Sequence, residues 1–165
     1  MKPDLTTYKY FVQGLVKQSC PKKILEIGLG ETASTAEKIL DVLPKNSIYY
    51  TIDISPNPKA LDILNKYPKE KWRVINGPSS EFQSYEGIND CDIVLIDGDH
   101  NSISVHNDTR MCILRNSIKH DGVFIYHDAN RTSVKYGIEE SARVFNLNVV
   151  FLYSINVAIA NFNNK

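Results

Sequence analysis

The run Cys91-Asp92-Ile93-Val94-Leu95-Ile96-Asp97-Gly98-Asp99-His100 constrains the fold of this chain more than any other stretch. Its unbroken apolar centre, Ile93 to Ile96, reads as a strand buried on both faces, the pattern of a parallel sheet covered by helices. The run ends abruptly in two carboxylates and an imidazole. Open α/β sheets bind ligands just beyond the carboxyl ends of such strands, so Asp97, Asp99 and His100 emerge where chemistry is done. Crowding these ionisable groups together is costly unless a metal, a cationic ligand or open solvent compensates.

Around that strand the chain alternates in type. Leu5, Tyr8, Phe11, Val12, Leu15 and Val16 follow helical spacing and predict a helix over about 4–19 that stops before Pro21. Lys23 to Ile27 predicts a strand, Thr32 to Leu43 a helix closed by Pro44, and Ser47 to Ile54 a second strand. A shorter helix over Ala60 to Tyr67 and a strand over Trp72 to Ile75 follow. Val105, Met111, Cys112, Leu114 and Ile118 predict a helix ending at Gly122, a residue suited to the position just past a helix. Val123 to Tyr126 reads as the fifth strand, and Val134, Ile138, Ala142 and Phe145 as one helical face. Val149 to Tyr153 and Val157 to Phe162, parted by Ser154-Ile155-Asn156, read as a closing hairpin. The expected architecture is a single domain over residues 1–165, an α/β three-layer sandwich. It has a Rossmann-like, mostly parallel seven-stranded sheet with an antiparallel C-terminal hairpin. A chain of 165 residues buries about 70% of its unfolded surface, enough for a core between such layers.

Charge narrows the partners. Lys+Arg and Asp+Glu both number 19, so no global field draws the chain to nucleic acid or to an anionic membrane. Cys20, Cys91 and Cys112 are too few and too widely spaced for a disulfide framework or a zinc motif. The start Met1-Lys2-Pro3-Asp4 lacks the apolar segment of a signal peptide, and no apolar run approaches the roughly 18 residues of a membrane span. A cytoplasmic protein is expected, which makes the glycosylation-like triplets at Asn107 and Asn130 coincidental.

Glu26-Ile27-Gly28-Leu29-Gly30-Glu31-Thr32 joins the first strand to the next helix. Glycines there permit positive φ and a close approach of ligand to backbone. The third glycine of the dinucleotide fingerprint is replaced by Ala33. Glu26 and Glu31 flank the loop and are unwelcome beside a pyrophosphate, but they suit an ammonium or sulfonium group. Asp53 ends the second strand, placed to accept hydrogen bonds from ribose hydroxyls.

Glu26-Ile27-Gly28-Leu29-Gly30, Asp53, Ile96-Asp97-Gly98-Asp99-His100 and Tyr126-His127-Asp128, in that order and spacing, resemble class I S-adenosylmethionine-dependent methyltransferases. The likeness is greatest to the subgroup with an Ile-Asp-Gly-Asp-His strand end and a His-Asp pair, which includes small-molecule and sugar O-methyltransferases. It implies S-adenosylmethionine as cofactor. Glu26, Gly28 and Gly30 would cradle its amino-acid part, Ser34 would lie near its carboxylate, Asp53 would hold the ribose, and Ser79 and Ser80 would reach the adenine. Asp97 would serve both cofactor and catalysis. His100 falls where relatives place a catalytic base.

If the sheet has the expected order, Asp97 and Asp128 end adjacent strands about 4.8 Å apart and could share a divalent cation with His127. Hard oxygen donors suit Mg²⁺ or Mn²⁺, and the imidazole favours Mn²⁺ or another transition metal. His106 and His120 read as structural; Asp108 either orients a site residue or faces water. Two other readings compete: a nicotinamide-dependent oxidoreductase, which lacks a Tyr-x-x-x-Lys pair, and a non-catalytic binding protein on the same fold. The short core leaves an open pocket that a second subunit would close, so a homo-oligomer acting on a small molecule or sugar is expected.

Overall fold

Alternating side chains along each strand divide the sheet between two helical layers. The computed structural model describes residues 5–84 and 87–163. Helix α1 (Leu5–Ser19) precedes β1 (Lys23–Ile27), α2 (Ser34–Leu40), β2 (Ile48–Asp53), α3 (Pro58–Leu64) and β3 (Trp72–Asn76). Then come β4 (Cys91–Ile96), α4 (Ser102–Leu114), β5 (Ile118–His127), α5 (Thr132–Phe145), β6 (Leu147–Leu152) and β7 (Val157–Phe162). The sheet order is β3-β2-β1-β4-β5-β7-β6. The first five strands pair in parallel, and β7 runs antiparallel between β5 and β6. The expected three-layer, seven-stranded architecture is therefore present.

Ile24, Ile93, Leu95 and Ile125 project to one face and meet Val12, Ile39 and Leu64 of α1, α2 and α3. Their neighbours Leu25, Val94, Ile96 and Phe124 project to the other, against Val105 and Cys112 of α4 and Ile138 of α5. Helix α1 owes its place to Tyr8, Val12 and Val16, an i, i+4 stripe that is fully buried. Helix α3 begins with Pro58 at its first position and Asn57 accepting from the Lys59 amide at 2.9 Å, the usual way to start a short helix.

Between β4 and β5 the structure corrects the sequence reading. Helix α4 stops at Leu114 instead of continuing towards Gly122, and Asn116 supplies the left-handed residue (φ 52°) that ends it. Ile118 already pairs with Cys91 as the first residue of β5. Gly122 lies within that strand, where the register against β4 shifts. A Cβ there would stand 3.1 Å from the Cys91 carbonyl oxygen, so this glycine serves a bulge and not a helix end. Local sequence cannot separate the two uses of the residue.

Helices α4 and α5 touch backbone to backbone at Gly137, where a Cβ would meet the Ser102 carbonyl oxygen at 2.6 Å and the Val105 Cβ at 2.8 Å. Gly137→Ala should cost about 1–3 kcal/mol through overpacking, a fall of roughly 2–10 °C in melting temperature, measurable by calorimetry.

Candidate active site

Register places the candidate residues in a row. Ile27 pairs with both Ile52 and Ile96, and Ile96 pairs with Tyr126. Gly28, Asp53, Asp97 and His127 consequently end their strands at a common height. The row straddles the β1/β4 neighbours, where strand order reverses and open α/β sheets form their ligand crevice. A cleft of about 1040 Å³ opens at this point. Glu26, Gly28, Gly30, Ser34, Asp53, Ser79, Ser80, Asp97, His100, His127 and Asp128 all line it.

Gly28 makes the loop possible. Its φ is +93°, and a Cβ would overlap the Asp97 carbonyl and lie 2.9 Å from the Gly98 Cα. Only glycine lets β1 and the end of β4 approach this closely. Gly30, at φ +68°, has open space where its side chain would be, so its backbone faces the cleft bare. Asp53 is locked in orientation: Oδ2 accepts from the Leu29 amide at 2.9 Å and Oδ1 from the Ser55 amide at 2.8 Å. Each oxygen retains a lone pair for a ligand hydroxyl.

Glu26 is 1% exposed, a carboxyl at the centre of the sheet. Tyr49 donates its hydroxyl hydrogen to Glu26 Oε2. Burial raises the Glu26 pKa well above the ordinary carboxyl range; the Tyr49 hydrogen bond pulls it down, and the charges of Asp97 and Asp53 push it further up.

At the other end of the cleft, His127 Nδ1 lies 2.8 Å from Asp97 Oδ1. Burial works against a charged His127, but the Asp97 hydrogen bond and the charges of Asp97 and Asp128 prevail, so its pKa is raised. His100 Nε2 sits 3.2 Å from Asp128 Oδ2 and 3.9 Å from Asp97 Oδ1. Neither contact is aligned as a hydrogen bond, and this buried nitrogen has no such partner among the described residues. Asp97, His100 and His127 each offer a donor atom within 4.8 Å of the others. Two imidazoles and a carboxylate fit a transition metal such as Mn²⁺ better than Mg²⁺.

The expected metal set of Asp97, Asp128 and His127 is only partly brought together. Asp128 is a neighbour, yet Asn156 Nδ2 donates to its Oδ1 at 2.5 Å and Arg131 Nε lies 2.7 Å from its Oδ2. Asp99 turns away from this group and accepts from Asn101 and from Ser104 Oγ at the start of α4. His106 contacts Ser141 and stacks on Phe145, and His120 stacks on Phe162, positions outside the cleft. Asp108, for which two roles stood open, is buried on the cleft wall.

Sequence reasoning missed the groups that act through these. Tyr49 gave no signal, because its pairing with Glu26 requires the β1/β2 register. Tyr8 read as ordinary helix core; its ring also stacks on His127 with centroids 4.1 Å apart. Its hydroxyl is buried with no hydrogen-bond partner among the described residues. Arg131 stands three residues beyond Asp128, a spacing that local pairing could have suggested.

Residues 25–129 match the family model described as a methyltransferase domain. Similar solved structures include an S-adenosylhomocysteine-bound methyltransferase, PaMTH1, of Podospora anserina. It is 14% identical with TM-score 0.78, covering 95% of this chain and 78% of that one. Another is an O-methyltransferase of Bacillus cereus in complex with S-adenosylhomocysteine, 16% identical, TM-score 0.74, covering 98% and 84%. A third is the O-methyltransferase TomG of Streptomyces achromogenes, involved in tomaymycin synthesis and in complex with S-adenosylmethionine. It is 11% identical with TM-score 0.73, covering 95% and 80%. No curated protein matches the chain. At these identities the three structures establish the fold.

The raised Glu26 pKa has a sign that denaturation can read. Above the pH where an unfolded glutamate ionises, the native state holds a proton that the unfolded chain has lost. Wild-type stability should therefore fall with rising pH by about 1.4 kcal/mol per unit from this group until the folded Glu26 itself ionises. Glu26→Gln removes that dependence, so urea denaturation should find the variant gaining on wild type between pH 5 and neutrality. A constant difference across that range would mean that Glu26 is ionised in the fold.

Proposed function

We propose that this chain, which belongs to the methyltransferase-domain family, transfers a methyl group from S-adenosylmethionine to a hydroxyl of a small-molecule or sugar acceptor. The observation that carries this reading is the convergence of Glu26, Asp53 and Asp97 on one cleft, around a loop whose Gly28 has no room for a side chain. Carboxyls so gathered suit a ligand that carries positive charge and ribose hydroxyls, and they oppose a pyrophosphate. The acceptor class follows the resemblance of the Asp97–His100 motif.

S-adenosylmethionine supplies a methyl group already activated on a sulfonium, so the residues of this chain mainly hold and orient the reactants. Glu26 and the Gly28–Gly30 backbone take the amino-acid arm, with Ser34 in the first turn of α2 beside its carboxylate. Asp53 holds the ribose, and Ser79 and Ser80 flank the base. His100 accepts the hydroxyl proton as the new carbon–oxygen bond forms and the carbon–sulfur bond breaks; a base so placed contributes about 10²–10⁴-fold. Its Nε2 makes no hydrogen bond among the described residues. Asp97 and His127 would hold a divalent cation, which would acidify the acceptor hydroxyl.

The test is transfer of label from methyl-labelled S-adenosylmethionine to a panel of phenolic and sugar hydroxyls, with and without Mn²⁺. His100→Ala should lower transfer about 10²–10⁴-fold while leaving the dissociation constant for S-adenosylhomocysteine nearly unchanged. Equal loss of transfer and affinity would move His100 from base to binding residue.

A further inference from the structure

The two edges of the sheet are unlike. β3 closes one side with an exposed Arg73, and Lys69 and Lys71 stand just ahead of it. Such charges discourage a further strand from pairing. β6 closes the other side with Leu147-Asn148-Val149-Val150-Phe151-Leu152. From Val144 to Asn164 the sequence holds no Asp, Glu, Lys, Arg or Pro. An uncharged open edge is a template for another strand.

Register decides which backbone groups are open. Asn163 donates its amide hydrogen to the Asn146 carbonyl at 3.2 Å, one step beyond the paired Leu147 and Phe162. Antiparallel partners alternate between pairs that exchange hydrogen bonds and pairs that do not. Asn148, Val150 and Leu152 therefore turn their amides and carbonyls to β7, while Leu147, Val149 and Phe151 turn theirs outward along the edge. Apolar side chains flank this row: Val150 is 59% exposed, Val144 at the end of α5 47%, and Tyr153 just past the strand 56%.

We propose that β6 pairs with β6 of a second copy of this chain, antiparallel about a two-fold axis at Val149, joining the two sheets into one. In that register Leu147 faces Phe151 of the copy, Val149 faces its own counterpart, and every outward amide and carbonyl finds a partner. An axis at Val150 would leave those of Leu147 without a strand opposite. A copy fits better than a foreign strand for two reasons. A charged edge would set like charges against each other across a two-fold axis, and this edge has none to set. The same axis carries Tyr153 of each chain to the Val144 end of the other, so exposed apolar residues at opposite ends of the strand cover one another.

β6 runs parallel to β5, since both are antiparallel to β7. The strands of the copy run the other way, so the two clefts open at opposite ends of the joined sheet. Each cleft keeps all its residues from one chain. The second subunit expected from the sequence then extends the sheet without closing the cleft, whatever the cleft binds.

Light scattering gives the mass in solution, and amide hydrogen exchange of isotope-labelled protein, followed by NMR, gives the surface used. Wild type should have twice the mass of the chain, with slow exchange at all six β6 amides. Val150→Lys sets two lysines about 7–8 Å apart across the axis. It should lose the dimer and release the Leu147, Val149 and Phe151 amides to fast exchange. The amides at 148, 150 and 152 should stay protected by β7, which shows that the hairpin of the variant is folded. Should the variant not fold, the exchange pattern of the wild-type dimer alone decides. A monomeric wild type overturns the assignment of this edge. So does a dimer whose Leu147, Val149 and Phe151 amides exchange freely, or one that Val150→Lys leaves intact.

Discussion

Parallel register across β2, β1, β4 and β5 is the constraint on which the rest of the site depends. Because Ile52, Ile27, Ile96 and Tyr126 lie in line, the residues that follow them leave the sheet at one height. A slip of one residue in any of these strands would send its buried set to the wrong layer. Core packing therefore enforces the alignment of the functional groups. The close approach of Gly28 to the Asp97 carbonyl completes the arrangement, and it would be closed to any residue with a side chain.

That geometry has an electrostatic consequence. Glu26, Asp53, Asp97, Asp108 and Asp128 share one rim, and each is supported differently. Asp53 accepts from two backbone amides, and Asp128 accepts from Asn156 and pairs with Arg131. Glu26 is buried deepest, and that burial raises its pKa. Helix α1 belongs to this system as well as to the core, for it places Tyr8 against His127. The same stripe of apolar residues that docks α1 on the sheet thus walls the imidazole off from solvent.

Much of this was legible in the sequence because it is written in local patterns. The apolar run before Asp97 gave a buried strand, and the glycines after Glu26 gave a tight turn at a strand end. Gly122 misled because a glycine that closes a helix and one that serves a bulge look alike until the partner strand is known. Tyr49 lies diagonally across the β1/β2 pair from Glu26, and Asn156 lies on a distant turn from Asp128, so neither contact has a sequence signature. The metal set was read from strand ends alone. Strand ends fix where Asp97, His127 and Asp128 emerge, but side-chain partners decide which oxygen stays free, and Arg131 and Asn156 take those of Asp128.

Burial raises the Glu26 pKa, so the positive charge of an arriving ligand should displace a proton from this carboxyl. Calorimetry of S-adenosylhomocysteine binding near neutral pH, repeated in buffers of different ionisation heat, measures this directly. Release of protons on binding, diminished in Glu26→Gln, is the result that this account predicts. Binding with no proton released, or no binding of S-adenosylhomocysteine, would contradict it.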